Sequence, residues 1–293
     1  MPVITRVHKL LLLIFGFVLS FAVNAENKPL YTIFTGTDRN AFYEMGLDIK
    51  RACPQYEIQV IKTSGTLDNI NQMIDGSAFQ TGYRFGFVQD DVIETVSASE
   101  PRVQNLVKTV FPMHNIEITI IVNQQSKISN IAGLANRRVA VGPSSSASWF
   151  SASIIRNALG FYWVPVEKSI QEGLLGVLTG QFDALILSAS QPYELYSILG
   201  PSVKSRIKFL DLTEIPPIKL YTPVVIPPNT YEWQDYPVHA LAVSSSFMVS
   251  SSVPQGAILN LSACIMSHHD DLIKNGHPKW RAIQLQKVKS RGN

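Results

Sequence analysis

Small polar residues follow three short apolar runs in the first third of the chain. These groups are Thr35-Gly36-Thr37, Ser64-Gly65-Thr66 with Asn69, and Gln89-Asp90. The first two groups then open a helical pattern, which brings backbone N–H groups and hydroxyls to a helix N-terminus, where they can hold an anion. The arrangement predicts a cleft that binds a small molecule, and it requires no catalytic centre.

A similar turn, Ser144-Ser145-Ser146, precedes a helical pattern in the second half of the chain. The hydroxyls of Ser64, Thr66 and this turn can donate hydrogen bonds to a bound anion, and the N–H groups add the attraction of the helix dipole. For each residue taken alone, ordinary helix capping is the alternative. Gln191, which follows a later strand pattern, is a further candidate ligand contact.

Four polar side chains near the first turns are also candidates for ligand binding. Arg39 could clamp a carboxylate with two hydrogen bonds, or it could be a solvated loop arginine. Tyr43 could hydrogen-bond to a ligand or stack on it, or it could belong to the core. Gln89 and Asp90 could accept hydrogen bonds from a ligand ammonium, or they could form the turn that ends a strand.

The spacing of apolar residues predicts strands that alternate with helices. The strands are predicted at 30–34, 56–60, 83–88, 138–141 and 182–187. Helical patterns follow the first four of them. This alternation predicts an α/β fold with a largely parallel sheet that is covered on both faces.

Two longer β-rich runs, 116–123 and 238–249, divide the chain into two such series. The simplest topology uses them as two hinge strands that cross between two lobes. One lobe would be formed by 26–118 plus 240–293, and the other by 119–239. Ligands are often bound between lobes, and hinged closure around a ligand is a known motion.

Residues 1–25 have the pattern of a secretory signal peptide. Basic residues at Arg6, His8 and Lys9 precede a largely apolar stretch at 10–22, and Val23-Asn24-Ala25 provides a site for cleavage after Ala25. A retained membrane anchor is the alternative, but the apolar stretch is short for a span. The pattern predicts a mature protein that is exported to the periplasm.

The charge balance and the cysteines limit the possible partners and folds. Without Arg6 and Lys9, the 25 basic residues become 23, against 22 acidic residues. This balance gives no electrostatic case for binding nucleic acid or an anionic membrane. Cys53 and Cys264 are the two cysteines, and in an oxidising compartment they either form a disulfide or remain separate buried thiols.

The sequence lacks the motifs that mark common catalytic and metal sites. There is no G-x-S-x-G elbow, H-E-x-x-H pair, Walker loop or dinucleotide fingerprint. His268-His269-Asp270-Asp271 is acidic and histidine-rich, but adjacent histidines on a helix point about 100° apart and cannot share an ion. We therefore predict a protein that is not an enzyme and holds neither a metal nor a cofactor.

Several motifs occur together in a characteristic order. They are Thr35-Gly36-Thr37, Tyr43-Glu44-Met45-Gly46, Ser64-Gly65-Thr66 with Asn69, Phe87-Val88-Gln89-Asp90-Asp91, Gly142-Pro143-Ser144-Ser145-Ser146, Asp183-Ala184 with Pro192, Ile226-Pro227-Pro228-Asn229-Thr230-Tyr231 with Gln234-Asp235, and His277-Pro278. In this order they resemble the TAXI-type solute receptors that serve TRAP transporters. The resemblance covers nearly all of the predicted mature chain.

This resemblance implies a type II periplasmic-binding-protein fold, with two αβ lobes joined by two crossing hinge strands. It also implies reversible binding of a small carboxylate-bearing solute, of the amino acid or dicarboxylate class, and its delivery to a TRAP-type membrane permease. We expect a monomer. The alternatives are a ligand sensor that docks on a signalling receptor, an exported enzyme and, more remotely, a surface adhesin.

Overall fold

The computed structural model describes residues 29–285, except Arg39 and residues 76–81. The predicted signal peptide at 1–25 and the candidate ligand contact Arg39 therefore lie outside the described residues. Within the described part of the chain, no helix has the length and apolar character that crossing a membrane requires.

Strands and helices alternate over 30–106 and 138–204, as the apolar periodicity predicts, whereas consecutive strands occupy most of 107–123 and 207–250. The strands are β1 (Leu30–Phe34), β2 (Glu57–Ile61), β3 (Tyr83–Gln89), β4 (Val107–Pro112), β5 (Ile116–Asn123), β6 (Arg138–Val141), β7 (Val164–Glu167), β8 (Ala184–Ala189), β9 (Ile207–Phe209), β10 (Thr222–Ile226), β11 (Val238–Val243) and β12 (Ser245–Ser250). The α-helices are α1 (Ala41–Ala52), α2 (Thr66–Asp75), α3 (Asp90–Ser99), α4 (Val103–Leu106), α5 (Ala147–Leu159), α6 (Ile170–Thr179), α7 (Glu194–Ser197), α8 (Pro201–Lys204), α9 (Gln255–Ser267) and α10 (His269–Asn275), and 3-10 turns occupy Ile131–Leu134 and Pro278–Ala282.

Local capping explains where the main helices begin and end. The Asn40 side chain accepts a hydrogen bond from the N–H of Phe42 at the start of α1, and Ser146 caps α5 in the same way. Ser169 and Glu172 form a reciprocal capping box at the start of α6. Gly160 and Gly180 end α5 and α6 in the left-handed conformation that glycine adopts without strain.

The strands form two sheets. The first sheet has the order β2-β1-β3-β12-β4, and the second has the order β10-β11-β5-β8-β6-β7, with β9 beside β5. The predicted parallel pairing holds for β2-β1-β3 and for β8-β6-β7. By contrast, β12 and β5 run antiparallel to their neighbours, because each belongs to a connection between the sheets and not to a local strand–helix–strand unit.

The chain passes between the two sheets twice, at 113–115 and at Ser244. The run at 116–123 lies wholly in the second sheet, and the run at 238–249 is divided into β11 and β12. The crossings therefore lie a few residues away from the predicted limits of 118/119 and 239/240. The apolar pattern continues on both sides of Ser244, so the sequence does not show where β11 ends and β12 begins.

We name the two halves by their sheets: lobe I carries the first sheet (29–112 and 245–285), and lobe II carries the second (116–243). We propose the two crossings as the lobe boundaries. The crossings are bonded to each other, since the N–H of Met113 donates to Ser245 O at 2.7 Å and the Ser245 hydroxyl donates to His114 O at 2.6 Å.

A disulfide joins the end of α1 to α9 in lobe I. The Sγ atoms of Cys53 and Cys264 are 2.07 Å apart across a sequence separation of 211, and both residues are buried. In the same core, four buried aromatic rings pack between β3, β4 and β12; they are Phe85, Phe87, Phe111 and Phe247. Lobe I thus carries a covalent link across its core, between helices that are distant in sequence.

Candidate ligand-binding cleft

A cavity of about 440 Å³ lies between the two lobes. Its wall takes residues from the ends of strands and the beginnings of helices in both lobes. The described residues of the cleft wall are Thr35, Gly36, Thr37, Asp38, Asn40, Phe42, Ser64, Gly65, Thr66, Gln89, Ile116, Gly142, Pro143, Ser146, Ala147, Ser148, Ser169, Ile170, Gln171, Leu187, Ser188, Ala189, Ser190, Tyr193 and Leu195. A cavity of this size and position is typical of a small-molecule site.

Four helices begin at the cleft wall. Helices α1 and α2 of lobe I and α5 and α6 of lobe II each contribute the residues of their first turn. The first N–H groups of a helix have no partner within the helix, and the helix dipole adds partial positive charge at the same end. The cleft therefore offers hydrogen-bond donors and positive potential from both sides, which suits an anion.

The charged side chains of the wall do not supply that positive potential. Asp38 is the one charged side chain in the described part of the wall, and it is exposed, with a carboxylate oxygen 3.9 Å from Lys62 Nζ. Backbone N–H groups, hydroxyls and side-chain amides therefore provide the donors that the described wall can offer to an anion.

The structure brings eight of the predicted ligand contacts to the cleft wall and leaves six elsewhere. The eight are Thr35, Gly36, Thr37, Ser64, Gly65, Thr66, Gln89 and Ser146. The six that lie away from the wall are Tyr43, Asn69, Asp90, Ser144, Ser145 and Gln191. For each of these six, the contacts in the structure indicate a structural or a surface role.

Asn69 and Gln191 hold the backbone behind the wall. The fully buried Asn69 amide donates to Thr35 O at 2.6 Å and to Phe87 O at 2.7 Å, which ties α2 to β1 and β3. The Gln191 amide donates to Ala189 O at 3.0 Å, and its carbonyl accepts from the Tyr231 hydroxyl. Both side chains satisfy buried backbone or side-chain groups, which indicates a positioning role behind the wall.

Asp90 and Tyr43 also differ from the prediction. Asp90 accepts a hydrogen bond from the Ser246 hydroxyl at 2.9 Å, and burial raises the pKa of its carboxyl group. The Tyr43 ring lies 4.8 Å from Lys62 Nζ, outside the wall. Asp90 is therefore tied to a strand of its own lobe, and it does not line the described cleft wall.

Ser144 and Ser145 take part in the turn before α5. The N–H of exposed Ser144 donates to a Glu167 carboxylate oxygen at 2.9 Å. Ser145 O accepts from the N–H of Leu67 at 3.3 Å. The second contact joins the beginning of α2 in lobe I to the turn before α5 in lobe II, so Ser145 contributes to the contact between the lobes.

Several hydroxyls of the wall already donate a hydrogen bond to another group of the protein. Thr35 donates to Ile61 O at 2.8 Å, Ser146 to Pro143 O at 2.7 Å and Ser64 to an Asp68 carboxylate oxygen at 3.1 Å. A hydroxyl has one proton, so in this arrangement these three groups offer their oxygen atoms to a ligand, and the donor role of Ser64 and Ser146 stays a prediction. Ser148 accepts from the N–H of Ser188 at 3.0 Å and keeps its own proton for donation.

A buried hydrogen-bond network crosses from lobe I to lobe II at the base of the cleft. The Asp91 carboxylate, 0% exposed, accepts from Gln89 Nε2 at 2.8 Å, from the Ser151 hydroxyl at 2.7 Å and from the Tyr221 hydroxyl at 2.6 Å. Gln89 also accepts from the Ser188 hydroxyl at 2.8 Å. Burial raises the pKa of Asp91, although these hydrogen bonds act in the opposite direction.

The two lobes also touch at Gly65. Gly65 has φ +137°, and a Cβ at this position would lie 3.1 Å from Ser146 Cα and 3.2 Å from Ser145 O. Glycine is needed here both for the backbone conformation and for the close approach of lobe II. Together with the network at Asp91, this contact joins the two lobes beside the cavity.

We expect Gly65→Ala to weaken the binding of a solute in the cleft about tenfold or more. The added methyl group opposes closure of the two lobes and so lowers the fraction of molecules in the conformation that binds. Gly180→Ala is the matched control, since Gly180 also has positive φ, at +75°, but a Cβ there meets nothing within 4 Å. The measurement is the radius of gyration by small-angle scattering together with affinity by calorimetry. Equal behaviour of the two variants would contradict a steric role in closure.

His114 lies in the first crossing and reaches the wall through Ser190. Its Nε2 is 2.6 Å from the Ser190 hydroxyl oxygen, and its Nδ1 has no hydrogen-bond partner among the described residues. The side chain is 2% exposed. Burial, with Lys279 and His277 nearby, holds the pKa of His114 well below its usual range, so His114 is neutral in the folded protein.

This burial predicts a loss of stability in mild acid. Below about pH 6.5 the unfolded chain protonates His114 and the folded chain does not, so unfolding becomes easier as the pH falls, by about 1.4 kcal/mol per pH unit. His277, whose pKa is also lowered by burial, adds a slope of the same sign. Urea unfolding between pH 5 and 7 should give a shallower slope for His114→Gln than for the wild type, and equal slopes in the two proteins would contradict this prediction.

The fold of this chain is similar to those of several solved ligand-binding proteins. The GluR0 ligand-binding core in complex with L-glutamate matches with a TM-score of 0.53 at 10% identity, over 88% of this chain and 98% of that one. The amino acid transporter substrate-binding protein AbpA of Streptococcus pneumoniae, bound to L-arginine, matches at 0.52 and 10%, over 87% and 95%. A TctC solute-binding protein from Polaromonas matches at 0.51 and 13%, over 88% of both chains.

These matches confirm the predicted two-lobed, type II periplasmic-binding-protein fold. The chain belongs to the NMT1-like family, whose model matches residues 33–292. No curated protein matches the chain in sequence. The proteins compared above are described as solute- or ligand-binding proteins, in line with the cleft of this chain and with the prediction of a binding protein.

Proposed function

We propose that this protein is an exported, monomeric receptor that captures a small carboxylate-bearing solute between its lobes in the periplasm. It then presents the solute to a membrane permease of the TRAP type, without a cofactor and without turnover. The observation that carries the proposal is the convergence of four helix N-termini, two from each lobe, on one cavity. An anion held between them is buried when the lobes close.

Two further observations support solute capture. The GluR0 core and AbpA, which share this fold, are described with L-glutamate and L-arginine bound, and each of these ligands has a carboxylate. In this chain, the contacts at Gly65 and Asp91 join the lobes around the cavity. The TAXI subtype and the TRAP permease rest on the sequence motifs, and they stay predictions.

A thermal-shift screen of the mature protein, refolded to remove carried solute, tests the proposal. A solute at 100 times its dissociation constant stabilises the folded protein by about 2.7 kcal/mol, which is a shift of roughly 5–10 °C for a chain of this size. We expect such a shift with at least one organic acid or amino acid. A flat screen across both classes would contradict the proposal.

Thr66→Val tests the anion site in the same assay. Thr66 is buried at the first position of α2 and lines the cleft, so the variant removes a hydroxyl without changing the shape of the wall. A hydrogen bond to a charged group contributes about 1.5–3 kcal/mol, and we therefore expect affinity for the best solute of the screen to fall about tenfold or more. Thr109→Val, on an exposed position of β4, should leave the affinity unchanged.

A further inference from the structure

An ion pair outside the cleft wall joins the two lobes. Lys279 Nζ of lobe I lies 2.6 Å from Glu117 Oε1 of lobe II, and the two side chains are 16% and 17% exposed. Among the ion pairs between described residues, this is the one that crosses the lobe boundary. Partly buried pairs are screened less than surface pairs, so this contact can hold both of its partners in place.

The Glu117 carboxylate also bonds to the backbone of the cleft wall. Its second oxygen, Oε2, accepts a hydrogen bond from the N–H of Gln191 at 2.9 Å. Gln191 belongs to the segment 189–193, here called the wall turn. The wall turn contributes three residues to the cleft wall, which are Ala189, Ser190 and Tyr193. One oxygen of Glu117 therefore binds a cation of lobe I, and the other binds the wall turn of lobe II.

Lys279 is in turn held by α1. It lies in the segment 277–280, here called the strap. The N–H of His277 donates to Asp48 Oδ2 at 2.6 Å, and the indole N–H of the fully buried Trp280 donates to the same oxygen at 2.9 Å. Asp48 lies on α1, whose first turn lines the cleft. The strap thus connects a helix on the lobe I side of the cleft to the wall turn on the lobe II side.

We propose that Lys279 is a positioning residue of the cleft, which holds the wall turn in its binding conformation through Glu117. This inference rests on the proposed function and names a contact that sets the affinity of the same site. Without the cation, Glu117 carries an unpaired charge at a partly buried position, and such a carboxylate turns toward water or takes up a proton. Either change weakens its hydrogen bond to Gln191 and loosens the wall turn.

Hydrogen exchange of the Gln191 N–H tests this effect without any solute. We expect exchange at least about tenfold faster in Lys279→Met than in the wild type, because a bond to a charged acceptor is among the stronger ones, and Lys279→Arg should restore the slow rate. Lys204→Met is the matched control, since the Lys204 side chain is also 16% exposed and pairs with Glu232 at 3.3 Å within lobe II. Equal exchange in Lys279→Met and the wild type would overturn the inference.

A second background shows whether Lys279 acts through Glu117. In a Glu117→Ala protein, adding Lys279→Met should change the exchange rate of the Gln191 N–H by less than about twofold. If the change were as large as in the wild-type background, then Lys279 would act by packing alone, and the inference would be overturned.

Calorimetry connects the strap to binding. The probes are L-glutamate, succinate and every organic acid or amino acid that gives a shift in the thermal-shift screen. We expect Lys279→Met to weaken the binding of such a probe about tenfold or more, and Lys204→Met to leave it unchanged. Unchanged affinity in Lys279→Met would overturn the inference and leave the proposed function standing. Binding of no probe would contradict the proposed function, whereas the exchange of the Gln191 N–H would still decide whether Lys279 positions the wall turn.

Discussion

Loss of the Cys53–Cys264 disulfide will lower the free energy of unfolding by about 5 kcal/mol. The bond spans a sequence separation of 211, and in the chain-entropy account the stabilisation by a crosslink grows with the length of the loop that it closes. For a protein of this size, such a loss lowers the melting temperature by roughly 10 °C or more. Calorimetric melting of Cys53→Ala/Cys264→Ala against the oxidised wild type measures it.

Reduction of the wild type is the control for this prediction. It breaks the bond but keeps both sulfur atoms, which are buried in the core, so it separates the crosslink from the packing. The reduced wild type and the double variant should melt close together. A loss below about 1 kcal/mol in both would mean that the unfolded chain is already compact enough to gain little from the crosslink.

Tyr221→Phe will weaken the closed state by about 2 kcal/mol. The Tyr221 hydroxyl donates at 2.6 Å to the buried Asp91 carboxylate across the lobe boundary, and hydrogen bonds to charged groups contribute about 1.5–3 kcal/mol. When the cleft opens, water can hydrogen-bond to Asp91 in place of Tyr221. The substitution therefore lowers the free energy of opening the cleft more than the free energy of unfolding. Small-angle scattering of the solute-free protein should give a larger radius of gyration for the variant.

Tyr236→Phe is the matched control for this change. The Tyr236 hydroxyl accepts from the N–H of Phe209 at 3.2 Å, and both residues belong to lobe II. Its loss should affect the melting temperature without changing the radius of gyration. If Tyr221→Phe also leaves the radius of gyration and solute affinity unchanged, then the network at Asp91 does not control closure.

Local signals in the sequence predict much of the first lobe. The units from β1 to α3 have clear apolar alternation, polar turns and helix caps, such as Asn40 before α1, so local propensity and the final fold agree. The sequence gives weaker signals for β4 and β7. The strand that covers β4, β12, is distant along the chain, and β7 is an edge strand without a fully buried residue.

The polar turns predict part of the cleft wall, because the ends of parallel strands and the beginnings of the following helices meet at one edge of a sheet. Apolar members such as Leu187 and Ile116 have the pattern of ordinary core strands, and nothing local marks them as facing a cavity. Asn69 and Gln191 are of a residue type that often contacts ligands, but their amides bind the protein's own backbone or side chains. The partner of a buried amide depends on tertiary structure, which a single sequence does not reveal.

The paired crossings have a mechanical consequence. One crossing is 113–115 and the other is Ser244, and the bonds from Met113 to Ser245 and from Ser245 to His114 hold them side by side. Two short backbone segments that are hydrogen-bonded side by side bend easily about one axis but resist twisting and sliding. The lobes should therefore move along a single coordinate, so that any partner that senses the separation of the lobe surfaces also senses whether the cavity is filled.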